Sequence, residues 1–184
     1  MRTFEAACLD HAVPAPTDQA VADLIGLPLV HMFETLTGGP VPAMVQTYKD
    51  RYVEFDRLHT RLFPGILELL IGLATLKAVA TSKMQQGAER SLERAGITAH
   101  FDQIIGHDAV PRPKPHPDML LEVLRRAGVS RDDAVMVGDT TFDMDMADAA
   151  GVRGIAVSWG AHGAHRLARW STAHTVDELR QLIG

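Results

Sequence analysis

The stretch Val135–Gly151 reads VMVGDTTFDMDMADAAG, and its pattern decides the architecture. With Ala134 before it, Val135, Met136 and Val137 make an apolar run short enough for a buried strand. Gly138 allows a sharp turn, and Asp139 and Asp143 follow four residues apart. Met144, Ala147 and Ala150 then recur at helical spacing as far as Gly151, a residue suited to a helix C-cap. A helix starting at Thr141 puts Asp139 at the carboxyl end of a strand and turns Asp143 back from the first helical turn. The two carboxylates then meet in the crevice where open α/β sheets bind ligands. Such a pair suits Mg²⁺, which takes oxygen ligands and often bridges to phosphate. The competing reading is a capped turn in which the aspartates only complement the helix N-terminus.

Strands alternate with helices from Pro64 onward. Ile66, Leu69, Leu70 and Leu73 mark a helix, and Ala78–Ala80 a short strand ending at Thr81–Ser82. Ile104–Ile105 is a second strand, followed by the loop PRPKPHP. Met119–Ala127 is a helix, 152–157 a strand, and Val176–Ile183 a closing helix. This alternation predicts a parallel sheet covered on both faces. Residues 1–63 differ: they read as helices, including a long one with Met44, Tyr48, Tyr52, Val53 and Phe55 as its apolar stripe. The chain therefore divides into a helical module, 1–63, and an α/β module, 64–184.

Composition narrows the functions. The 184 residues are 46% hydrophobic and 22% charged, enough to bury a core. A net charge of -5 argues against a nucleic-acid partner, so any phosphate must be gripped locally. Cys8 is the single cysteine, which excludes a disulfide framework and a thiolate zinc cluster. No apolar run approaches the ~20 residues of a membrane span, and the N-terminus is unlike a signal peptide, so a cytoplasmic location is expected.

Three points of the α/β module fall where strands end: Thr81–Ser82, Lys114 and Asp139/Asp143. Neighbouring strand ends share one crevice, so these groups can meet despite their separation in sequence. Together they have the chemistry of a phosphate site. A hydroxyl and adjacent amides accept phosphate oxygens, a lysine neutralises developing charge, and two aspartates hold a metal. Singly, Thr81 or Ser82 can instead cap the next helix, and Lys114 can be a solvated lysine, although Pro113 and Pro115 fix where its side chain begins. Of the nine histidines, His162 and His165 fall in the loop after the last long strand, near the rim of the site, and His116 is expected to pack locally. Trp159 and the PRPKPHP loop are candidates for lining a substrate pocket.

VATSK (79–83), RPKPHPDM (112–119) and VGDTTFDMDMADAAG (137–151) resemble the second, third and fourth motifs of the haloacid dehalogenase (HAD) superfamily, most closely its phosphoglycolate-phosphatase-like branch. Residues 1–63 resemble that branch's inserted helical cap, including the Ile25–Gly26–Leu27–Pro28 turn, and Phe63–Pro64–Gly65 resembles the return to the core. The resemblance implies that Thr81, with Ser82, binds the transferring phosphoryl group and that Lys114 orients and neutralises it. It implies that Asp139 ligates Mg²⁺, supported by Asp143 directly or through water. The implied activity is hydrolysis of a small phosphorylated metabolite, phosphoglycolate-like, through an aspartyl-phosphate intermediate.

One motif departs from the family. Its nucleophile lies in an Asp-x-Asp-x-Thr run on a first, central strand, and no such run occurs here; Asp143 and Asp145 form the sole Asp-x-Asp pair, inside the fourth motif. The resemblance thus implies a core whose first strand, nucleophile, general acid/base and one metal ligand precede Met1, with two buried sheet edges left unpaired. The simplest expectation is that the coding sequence continues upstream. The alternative is a shortened, non-catalytic protein that binds phosphate or Mg²⁺, or acts as a regulatory or interaction module. A phospho-accepting receiver domain fits less well, since its acidic pair precedes its Thr and Lys and it has no helical cap.

Overall fold

The computed structural model describes residues 2–184. Four helices come first: α1 (Arg2–Asp10), α2 (Asp18–Leu24), α3 (Leu29–Leu36) and α4 (Val41–His59). Thr17 caps α2 through its side chain, which accepts from the Ala20 N–H. Phe4, Cys8, Phe33 and Met44 lie at the centre of this module's own apolar cluster, with the Phe4 and Phe33 rings stacked 4.0 Å apart. The expected stripe of α4 does not continue inward to its end: Val53 and Phe55 are exposed and Asp56 is buried instead. The reason is the partner it meets, a polar helix face carrying Ser91 and Arg94.

The α/β module runs α5 (Ile66–Gly72), β1 (Ala78–Thr81), α6 (Gln85–Arg94), β2 (Gln103–Gly106), α7 (Asp118–Ala127), β3 (Val135–Gly138), α8 (Thr141–Ala150), β4 (Arg153–Val157), α9 (Ala164–Leu167), β5 (Ser171–Ala173) and α10 (Val176–Ile183). Pairing is parallel throughout, but in two blocks, β1–β2 and β3–β4–β5. Strand alternation sorts the side chains. Met136 and Ile105 face α7 and α8 in one cluster that also takes in Ala80, so a single apolar layer spans both blocks. Val135, Ile155 and Val157 face the other way, against α5 and α10. Gly128 and Gly151, both left-handed, terminate α7 and α8.

Sequence patterning missed β5, whose three residues Ser-Thr-Ala carry no apolar run; its register against Ile155–Val157 makes it a strand. Two expected edges are unpaired, on β1 and β3, but they are not fully buried. Among the described residues β1 pairs only with β2 and β3 only with β4. The strands at this break are partly exposed: Val137 is 36% exposed, whereas its register partner Ile155 is 0%.

Candidate active site

The turn between β3 and α8 is built from reciprocal hydrogen bonds. Thr140 is the N-cap of α8 and its hydroxyl oxygen accepts from the Asp143 N–H at 3.2 Å. Asp143 Oδ2 in return accepts from the Thr140 N–H at 3.0 Å and its hydroxyl at 2.7 Å. Asp143 therefore does serve as a capping residue. Its other oxygen, Oδ1, accepts from Lys114 Nζ at 2.5 Å, and both side chains are 7% exposed. A lysine this buried is held by its partner, so Lys114 is not a solvated surface lysine. Gly138 is required here, since a Cβ on it would lie 2.3 Å from the Asp143 Cβ.

Asp139 is gripped from the loop after β4. Its Oδ2 accepts from the Ala161 N–H at 2.7 Å, and its carbonyl accepts from the His162 N–H at 3.1 Å. Gly160 makes this approach possible: a Cβ there would meet the Asp139 Cβ at 2.1 Å. The ring of His162 completes the wrap, its Nδ1 accepting from the Thr141 N–H at 3.0 Å. Burial first, then the charge of Arg166, hold the His162 imidazole below its ordinary range. No sequence pattern marked the Gly160–Ala161–His162 grip in advance; Trp159–Gly160 after an apolar strand was the sole cue, and Trp159 itself packs into the apolar cluster of β4 and α10.

Thr81 and Ser82 do not cap the next helix, because α6 starts at Gln85 with Met84 as N-cap and no side-chain capping bond. Thr81 Oγ1 accepts from the Lys83 N–H at 3.2 Å. The Ser82 hydroxyl donates to the Gly26 carbonyl of the helical module. Gly26, at φ +113, also lies against Thr140, so its turn spans the ends of β1 and β3. Of the expected residues, Ser82 meets Gly26, which also lies against Thr140, and Lys114 pairs with Asp143; among the described residues no hydrogen bond joins Thr81 to Lys114, Asp139 or Asp143.

A cleft of about 410 Å³ adjoins Lys114, with Leu27, His31 and Thr35 on one wall and Arg112, Pro115 and His116 on the other. His116 is exposed and lines this cleft rather than packing locally, at the end of a turn in which its N–H donates to the Pro113 carbonyl at 3.0 Å. Cys8 lies in the core of the helical module, where burial raises its thiol pKa, so it has no part in this site.

The donor set fits a hard cation through one carboxylate. Asp139 keeps Oδ1 clear of protein hydrogen bonds, while both oxygens of Asp143 are engaged. Among the described residues no three His, Cys, Asp or Glu side chains are grouped for a metal. One carboxylate with an unengaged oxygen is compatible with Mg²⁺, which is commonly held by one or two carboxylates with water and substrate phosphate supplying the rest.

Short parallel strands alternating with helices, with polar side chains near the ends of β1 and β3, define an α/β protein of the kind that binds ligands at its strand ends. The chain belongs to the haloacid dehalogenase-like hydrolase family, which it matches over residues 1–157. It is 37% identical over 194 aligned positions to a probable phosphatase, IndB, of Dickeya dadantii, covering 98% of this chain and 83% of that protein. It is 31% identical to phosphoglycolate phosphatase 1 of Pseudomonas aeruginosa across 77% of this chain, which is 53% of that relative's length. A haloacid dehalogenase-like hydrolase from Streptococcus pneumoniae superposes with a TM-score of 0.86 at 26% identity, covering 100% of this chain and 89% of that one.

Proposed function

We propose that this chain forms the cap and most of the core of a Mg²⁺-dependent phosphomonoesterase acting on a small phosphorylated metabolite, phosphoglycolate-like. The observation that carries the reading is the buried Lys114–Asp143 pair beside a carboxylate, Asp139, that has one oxygen free. In this reading Lys114, steered by Asp143, faces the phosphoryl oxygens and offsets the charge that accumulates during transfer. Thr81 and the amides following β1 bind the remaining phosphoryl oxygens, and Ser82 joins them when the Gly26 turn lifts away. Asp139 holds the cation, and Asp143 supports it through water. When bound, Mg²⁺ neutralises phosphate charge and aligns the transferring group. Residues 1–63 act as a cap whose closure keeps water out until transfer begins.

The nucleophile is a separate question. No Asp-x-Asp-x-Thr run occurs in the sequence, and β1 and β3 each have one ladder partner among the described residues. Both facts support a catalytic form in which an upstream strand joins β1 to β3 and brings the aspartate that becomes the aspartyl-phosphate. The same sequence fact favours the second reading, a non-catalytic module that binds phosphate or Mg²⁺. In an upstream-extended form, Asp139→Ala and Lys114→Ala should each nearly abolish Mg²⁺-dependent hydrolysis of p-nitrophenyl phosphate. Retained turnover in either variant removes that residue from its role.

A further inference from the structure

His162 is 1% exposed, and its two ring nitrogens have opposite fates. The Thr141 amide can only donate, so Nδ1, 3.0 Å away, carries a lone pair and the ring proton of the neutral imidazole sits on Nε2. That Nε2 is buried and makes no hydrogen bond of full geometry, the Ala22 backbone being the polar group set toward the ring. Buried polar groups are nearly always satisfied, so an orphaned one calls for an explanation. The end of α2 closes over this side of the ring: Ala22 presents its backbone toward it, and the next residue, Asp23, pairs with Arg166 at 2.7 Å. The Phe142 ring lies 5.8 Å from the imidazole and also faces Gly26.

We propose that His162 is a positioning residue that couples the seating of the helical module to the shape of the Asp139–Thr141 turn. With α2 seated, the ring is dry and confined to its Nε2–H form, which keeps Nδ1 as the acceptor for Thr141. When α2 lifts, water reaches Nε2, both tautomers become accessible, and the ring no longer holds the Thr141 N–H. Asp139 feels the change because its carbonyl is bonded to the His162 N–H and its carboxylate to Ala161. The consequence for cation binding rests on the reading of Asp139 given above; the coupling itself does not.

The test reads the ring and the amide directly, so its failure is separable from a failure of the phosphatase reading. In the 184-residue chain labelled with ¹⁵N-histidine, His162 should show a single Nε2–H tautomer and Thr141 a slowly exchanging amide. Gly26→Ala blocks seating, because its Cβ would meet Thr140 Oγ1 at 2.8 Å and φ +113 disfavours a side chain. This variant should mix the tautomers and speed Thr141 exchange about tenfold while the Ile155 and Ala156 amides of β4 stay unchanged. His162→Asn retains an acceptor and should keep Thr141 slow; His162→Leu should speed it about tenfold. A single unchanged tautomer with slow Thr141 exchange in Gly26→Ala, or slow Thr141 exchange in His162→Leu, overturns the proposal. Should Gly26→Ala also loosen β4, the Asn and Leu pair decides against the same β4 amides.

Discussion

Asp143 is asked to do two things at once, and its two oxygens divide the work. Oδ2 closes the capping box with Thr140 while Oδ1 holds the Lys114 ammonium. Breaking a buried pair from one side leaves an uncompensated charge, so Asp143→Ala should cost about 3–5 kcal/mol of unfolding free energy. The double replacement Lys114→Met with Asp143→Leu should cost clearly less, because it removes both charges. Urea unfolding of the two variants measures this, and a double variant at least as unstable as Asp143→Ala contradicts the pairing argument. At this scale much was legible in the sequence. Asp139 and Asp143 stood out because a strand, a glycine and a helical repeat framed them, and Lys114 because two prolines did. His162 was legible only as a residue near the rim of the site; its bond to Thr141 and that of Ala161 to Asp139 were not, since a ring nitrogen and a backbone amide acting on residues 21 or 22 positions away leave no local pattern.

The α4–α6 contact is an element-scale feature that hydrophobic periodicity misread. Asp56 is 4% exposed and accepts from Thr60 at 2.7 Å, Arg94 at 2.8 Å and Ser91 at 3.3 Å, with Lys83 Nζ 3.6 Å away. Burial raises the Asp56 carboxyl pKa, but the Thr60 hydrogen bond, the Lys83 charge and the Ser91 and Arg94 bonds outweigh it and hold the pKa below its ordinary value. A carboxyl depressed in the folded state contributes stability above its unfolded pKa and loses it as pH falls through the folded pKa. Asp56→Asn should therefore cost about 1–3 kcal/mol near neutral pH, and the difference from the unsubstituted chain should begin to shrink only below about pH 4, as pH falls toward the lowered folded pKa. Denaturant melts across pH 3 to 7 check this; a difference independent of pH contradicts it. Period-3.6 reasoning placed Val53 and Phe55 inward because it scores apolarity alone, whereas a charged facing helix makes the aspartate the better buried residue.

At the scale of the whole molecule, the alternation of strands and helices from Pro64 onward foretold parallel strands covered by helices, and the run before it foretold the helices α1–α4. What patterning could not supply is ladder order, since which strands pair depends on contacts far apart in the chain. The observed order leaves β1 and β3 each with one ladder partner among the described residues, in line with the absence of an Asp-x-Asp-x-Thr run and the partial exposure of Val137. If an upstream strand completes this layer, the extended chain gains both its nucleophile and its central ladder. The most direct measurement is Mg²⁺-dependent p-nitrophenyl phosphate hydrolysis by the 184-residue chain alongside the same chain extended upstream in frame. Turnover in the extended form alone is the predicted result; robust turnover by the 184-residue chain would contradict the account.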